Sequence, residues 1–179
     1  MTLTTLLPSL RRSIPDPLDR EKWPENTCAT TTDVIVAGLS LLHVVELSGT
    51  PCSITGCSVA PGTHGRPSET HHTIVTVFRV SRTARSSTGE LSIQLEADEV
   101  AAGLLWREAR LIGRASTSHD RPASLRLGAT ASSEISRVEL PGDLGEGDLI
   151  AVPAVPVAMA AADRAPRELQ APAWLAALA

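Results

Sequence analysis

The chain has 179 residues, 42% of them hydrophobic and 20% charged, which suits one globular domain with arms and a single real core. Its net charge of −4 argues against nucleic acid as a partner, because phosphate binding needs a basic surface. There is no tyrosine and one phenylalanine, so the core must be aliphatic and built mainly from Leu, Val, Ile and Ala.

No apolar run reaches the roughly 18 residues that a membrane-spanning helix needs, and no membrane association is expected. The first residues lack the basic start, apolar centre and small-residue cleavage site of a signal peptide. Three cysteines without a secretion signal read as free thiols in a cytoplasmic protein.

In chain order, residues 1–26 read as an N-terminal arm. Pro8, Pro15, Pro17 and Pro24 break any long helix. Leu3, Leu6, Leu7 and Leu10 are spaced to pack as one short amphipathic turn, and Trp23 is the expected anchor. Residues 27–72 form a lead-in. Asp33–Val36 reads as a brief strand, and Ser40 is placed to cap a helix over Leu41–Leu47. Gly49 and Pro51 stop that helix. Cys52–Thr55 suggests another strand, and the Gly/Pro/His/Ser-rich Gly56–Glu69 reads as a loop.

The β domain is expected over residues 73–159. Thr73–Ser81 is β-branched and alternating, uninterrupted by Gly or Pro. Glu90–Ala97 alternates strictly, with Leu91, Ile93 and Leu95 on one face. With a turn at Arg85–Gly89, the two runs predict an antiparallel hairpin. Asp98–Gly103 reads as a loop or helical turn. Further strands are expected at Ala109–Ser116, Ser124–Leu127 and Glu134–Leu140. Pro141-Gly142-Asp143 and Gly145-Glu146-Gly147-Asp148 are turn clusters, followed by the apolar run Leu149–Val152. In the tail, residues 160–179, Pro172–Ala179 reads as a helical turn presenting Trp174, Leu175 and Leu178, either packed on its own domain or offered to a partner.

Two blocks of this sequence, from Trp23-Pro24 to Gly49-Thr50-Pro51-Cys52 and from Ala109-Arg110 to Leu140–Pro153, resemble the diaminopimelate decarboxylase family, which uses pyridoxal phosphate. The first comprises Trp23-Pro24, Asp33-Val34-Ile35-Val36, Gly38-Leu39-Ser40-Leu41 and Gly49-Thr50-Pro51-Cys52, and it is similar to the lead-in of those enzymes. The second comprises Ala109-Arg110, Ile112-Gly113-Arg114 and the ending Leu140–Pro153. It is similar to the end of their carboxy-terminal β domain, which helps make a homodimer. The cofactor-holding barrel that should stand between the blocks is missing. Ala60-Pro61-Gly62-Thr63 resembles an eroded Glu-Pro-Gly-Arg motif from its far end.

The resemblance therefore implies a retained fold without the family's catalysis. A Schiff base needs a lysine. Lys22 is the only lysine, and it lies outside the family's lysine motif in a charged run that reads as solvated surface. The family's cysteine loop is replaced by Gly128–Ser133 and its Gly-Gly-Met loop by Ala97-Asp98-Glu99. Its late tyrosine is replaced within Val157-Ala158-Met159. No catalytic, cofactor-binding or metal-binding residue is assigned, and no cofactor is expected.

Cys52, Cys57, His64 and His71 or His72 form one zinc-compatible set, but their spacings are looser than the close pairs of real zinc sites. The expected alternative is a loop with buried thiols and solvated histidines. No Gly-x-Ser-x-Gly elbow is present.

The fold expected is mainly β: a compact Greek-key or barrel-like domain of about six to eight strands with a short helix near the N-terminus and extended arms. The function expected is a decarboxylase-derived interaction or structural module that forms a homo-oligomer or binds a protein partner. The alternative is a regulatory or complementing subunit of a complete diaminopimelate decarboxylase. Loss of the barrel would bare an apolar face that must find cover.

Overall fold

The computed structural model describes residues 2–86, 90–97, 103–128 and 134–158. The arm begins with a one-turn helix, α1 (Leu3–Leu6), and a 3₁₀ turn over Pro8–Arg12. The lead-in follows as a small antiparallel sheet, β1 (Cys28–Ala29), β2 (Val34–Val36) and β3 (Leu39–Ser40), which runs directly into α2 (Leu41–Ser48). The remaining strands are β4 (Cys52–Val59), β5 (Pro67–Arg85), β6 (Leu91–Leu95), β7 (Arg110–Ile112), β8 (Asp120–Leu127), β9 (Glu134–Pro141), β10 (Leu149–Pro153) and β11 (Val157–Ala158).

The protein is mainly β, as the alternation of its sequence requires. Its large sheet is a curled half-barrel in the order β7-β10-β5-β6-β8-β9, with β4 and β11 also paired to β5. The predicted hairpin is present: β5 and β6 pair antiparallel, with Val80 opposite Leu95 and Arg85 opposite Leu91. β6 and β8 run parallel.

β5 organises the sheet through its 19-residue length. One edge carries β10 along Val75–Arg79 and β11 at His71 and His72. The other carries β4 and, further along, β6. The predicted loop Gly56–Glu69 is corrected here. β4 continues to Val59 and β5 begins at Pro67, leaving only residues 60–66 as the connection. Gly56 is tolerated in the strand because another chain segment lies against it. A Cβ there would sit 2.8 Å from Pro24 Cβ, and glycine in a strand often marks such a close approach.

The core lies on both faces of the central strands. Phe78 and Val80 of β5, with Ile150 and Val152 of β10, point into the barrel against Leu91, Ile93, Leu95, Leu125 and Leu140. Val75 and Val77, with Leu149 and Ala151, point outward against Trp23, Val34, Val36 and Leu41. This is the period-2 alternation of a strand, here apolar on both sides, and it explains the continuous run Leu149–Val152. The lead-in is therefore the cover for the outer face of the sheet, with Trp23 at its centre, 1% exposed.

The helix ends follow their sequence signals. The Ser40 hydroxyl accepts from the His43 N–H (3.1 Å) and donates to Asp33 Oδ2 (2.6 Å). Asp33 Oδ1 in turn accepts from the Val34 N–H (2.7 Å). Gly49 closes the helix at φ 75°, a conformation that favours glycine. Ser40→Ala should cost about 0.5–2 kcal/mol, read as a lowered urea midpoint at unchanged m-value.

One local expectation is reversed. Leu3, Leu6 and Leu7 do not pack against the body: they are 58, 54 and 55% exposed. The arm instead turns Thr4, Pro8 and Arg11 inward. The turn at 87–89, the segments at 98–102 and 129–133, and the tail carrying Trp174 lie outside the described residues.

Candidate functional site: an arginine-lined cleft at the barrel seam

The curled sheet ends at β7 on one side and β9 on the other, where among the described residues β7 pairs with β10 alone and β9 with β8 alone. The gap between these two edges is the seam of the half-barrel. A cleft of about 310 Å³ opens there, walled by Ala109–Leu111, by Glu139–Pro141 and by Thr2, Thr5, Arg11, Asp16 and Pro17 of the arm. A second hollow adjoins it and shares Arg107 and Glu139.

Three arginines organise the cleft. Arg11, 7% exposed, donates to the Ser118 carbonyl (3.1 Å) and to Asp120 Oδ2 (2.8 Å). Its Nε lies 3.0 Å from Asp16 Oδ2, a charge contact without hydrogen-bond geometry. Burial alone would lower the Arg11 pKa, but Asp120 and Asp16 together hold it above the ordinary arginine value. Arg110 reaches back from β7 and donates to the carbonyls of Asp16 and Pro17. Burial outweighs its acidic neighbours and pulls its pKa down.

Arg114 pins the turn between β9 and β10. It donates through Nε and Nη2 to the two oxygens of Asp148 (2.8 and 2.6 Å), and through Nη1 to Asp143 Oδ2 (3.1 Å). This forked pairing suits the planar guanidinium. Ser116 donates to Asp143 Oδ1 (2.5 Å), and the Gly145 N–H donates to Asp148 (2.9 Å). The predicted turn clusters thus work as acceptors for an arginine in the bend that follows β7.

Burial would raise the Asp143 carboxyl, yet the Ser116 hydroxyl and the Arg114 guanidinium outweigh it and hold it below the usual carboxylate range. A carboxylate whose pKa is depressed by folding stabilises the fold above its unfolded value. That contribution is complete above about pH 3.8, the ordinary value, and is lost as pH falls through the lower folded value. Asp143→Asn should therefore lower the urea midpoint at pH 7. The gap from wild type should narrow below pH 3.8.

Glu108 lies at the edge of the cleft. Burial first, and the charge of Asp19 second, raise its pKa; Trp23, Arg110 and Lys22 oppose this. Lys22 is exposed, and its ammonium acts only as a distant charge on Glu108. The Trp23 indole N–H lies beside that carboxyl but finds no partner of hydrogen-bond geometry.

The chemistry these groups can perform is mainly holding. Asp16, Asp120, Asp143 and Asp148 are engaged by Arg11 and Arg114. The Ser116 hydroxyl is bound to a carboxylate, and no histidine is among the described residues lining the cleft.

The zinc-compatible set does not converge. Cys52 and Cys57 are five positions apart on β4, so their side chains point to opposite faces. Cys52 packs with the outer core, and burial raises its pKa. Cys57 stands opposite His72 on β5. His64 is exposed in the connecting turn and His71 is exposed on β5. Among the described residues no three His, Cys, Asp or Glu side chains come together as a metal site.

Arg110 and Arg114 stood out in the sequence through the Ala109–Arg114 block. Arg11 and Asp120 did not, because their pairing spans more than a hundred residues, and Asp16 enters the cleft only through its contact with Arg11 and the Arg110 bond to its carbonyl. No protein-family model matches this chain, and no curated protein matches it. Among the described residues no helix is long and apolar enough to cross a membrane.

Proposed function

We propose that this chain is a non-catalytic interaction module, derived from a decarboxylase-like β domain of Greek-key type, that pairs with a second copy of itself in the cytoplasm. The observation that carries this reading is the inverted arm. Leu3, Leu6 and Leu7 stand exposed while Arg11 of the same segment is 7% exposed. Leu3 and Leu6 share a face of α1, and Leu7 is exposed at its C-cap, so the arm presents an outward apolar strip. Such a strip gains stability when covered, and a two-fold contact brings the same strip from both copies together. The homodimer implied by the sequence resemblance supports a second copy as the occupant.

Light scattering on the purified chain at tens of micromolar tests the proposal. A mass of two chains is expected, falling to one chain in the Leu3→Ser/Leu6→Ser/Leu7→Ser variant. A wild-type monomer at that concentration would remove the reading. The alternative, a complementing subunit, has its own test: the chain is added to a complete diaminopimelate decarboxylase. A mixed oligomer or a changed rate of lysine formation would favour it over self-pairing.

A further inference from the structure

We infer that residues 2–17 form a charge-latched strap that lifts from the β7–β9 seam while the rest of the fold stays intact. The inference concerns the inward side of the arm and does not depend on what covers its leucines.

The strap is held by directed polar bonds. Arg11 crosses to Ser118 and Asp120, and Arg110 crosses back to the carbonyls of Asp16 and Pro17. Neither core cluster takes a side chain from residues 2–17; the first contributors are Leu18, partly, and Trp23. Lifting the strap therefore strips little apolar surface from either core. Pulling out Trp23 would open the outer core. Segments with few buried apolar contacts open well below the cost of global unfolding, so Leu18–Trp23 is the natural limit of the motion.

The latch is also incomplete. Asp120 Oδ1, on the body side of the latch, is buried without a hydrogen-bond partner. A buried polar atom in that condition opposes the closed state, and water satisfies it once the strap lifts. Closed, the strap forms one wall of the seam cleft, beside β7 and β9. Raised, it widens the cleft between β7 and β9, and an accessible strand edge can accept a further strand. The strap is thus a gate over the open side of the half-barrel.

Thr4 reports the motion because it is the buried side chain of α1, 2% exposed. In the full chain, Thr4→Cys is treated with iodoacetamide under native conditions, and peptide mass mapping separates its signal from Cys28, Cys52 and Cys57. Val77→Cys, at a position 1% exposed in β5, gives the rate set by opening of the core. The Thr4→Cys thiol should react at least about 100-fold faster than the Val77→Cys thiol. Adding Asp120→Asn, which removes the charge opposite Arg11, should speed it about tenfold more without changing the core rate.

Equal rates at the two positions would overturn the inference, as would indifference to Asp120→Asn. Should a cysteine variant fail to fold by circular dichroism, trypsin cleavage after Arg11 gives the same reading in the native sequence. Faster cleavage in Asp120→Asn than in wild type is expected, and equal cleavage would overturn the strap.

Discussion

Trp23→Ala should destabilise the protein by about 3–5 kcal/mol, the range for emptying a buried aromatic site. Trp23 is the largest side chain of the outer core, and it packs with Val34, Val36 and Leu41 of the lead-in and with Val75, Val77 and Ala151 of the large sheet. It also joins the arm to the body, since Pro24 beside it lies against Gly56 of β4. The loss should therefore be more than a cavity. Urea unfolding should show a lower midpoint, and amide exchange should rise first in β1–β3 and α2. The interior of the half-barrel, on the opposite face of β5, should keep more of its protection.

Phe78→Ala should cost a similar amount, about 3–5 kcal/mol, but with the opposite pattern. Phe78 points into the half-barrel, 1% exposed. It packs with Leu95, Leu125, Leu140 and Ile150 and meets Trp106 at 5.7 Å between ring centroids. With one phenylalanine in the chain, no second ring of its kind can refill that space. Exchange should rise in β6, β8 and β9 before it rises in the lead-in. The two variants together separate the two faces of one sheet. If both loosened the same amides to the same degree, the description of two cores divided by β5 and β10 would be wrong.

How much of this was legible in the sequence differs by element. The hairpin of β5 and β6 was legible because its alternation is clean and local. The cap at Ser40 and the stop at Gly49 were legible for the same reason: each is decided within a few residues. The run Leu149–Val152 was legible as continuously apolar, and burial on both faces is what such a run encodes.

The hairpin hidden in Gly56–Glu69 was not legible. Its Gly, Pro and His composition points to a loop, while pairing along β5 and the close approach of Pro24 make strands of its ends. The arm failed in the other direction. Its leucine spacing predicted an inward face, but Arg11 found Asp120 and Ser118 across the fold and took the inward position. Arginine can do this because its guanidinium spreads its charge and its donors over several partners. The seam cleft depends on these long-range pairings, so only its Arg110 and Arg114 were visible beforehand.

The central claim, that the leucine strip of the arm meets its own copy, is tested most directly by placing a thiol in it. Leu6→Cys on a Cys28→Ser background removes the exposed native thiol, and mild oxidation then links chains whose strips touch. Leu47→Cys, at a position 74% exposed on α2, is the control for random collision. The account predicts a disulfide-linked dimer for Leu6→Cys at a concentration where Leu47→Cys stays monomeric on a non-reducing gel. Equal cross-linking of the two, or none in either, would contradict it.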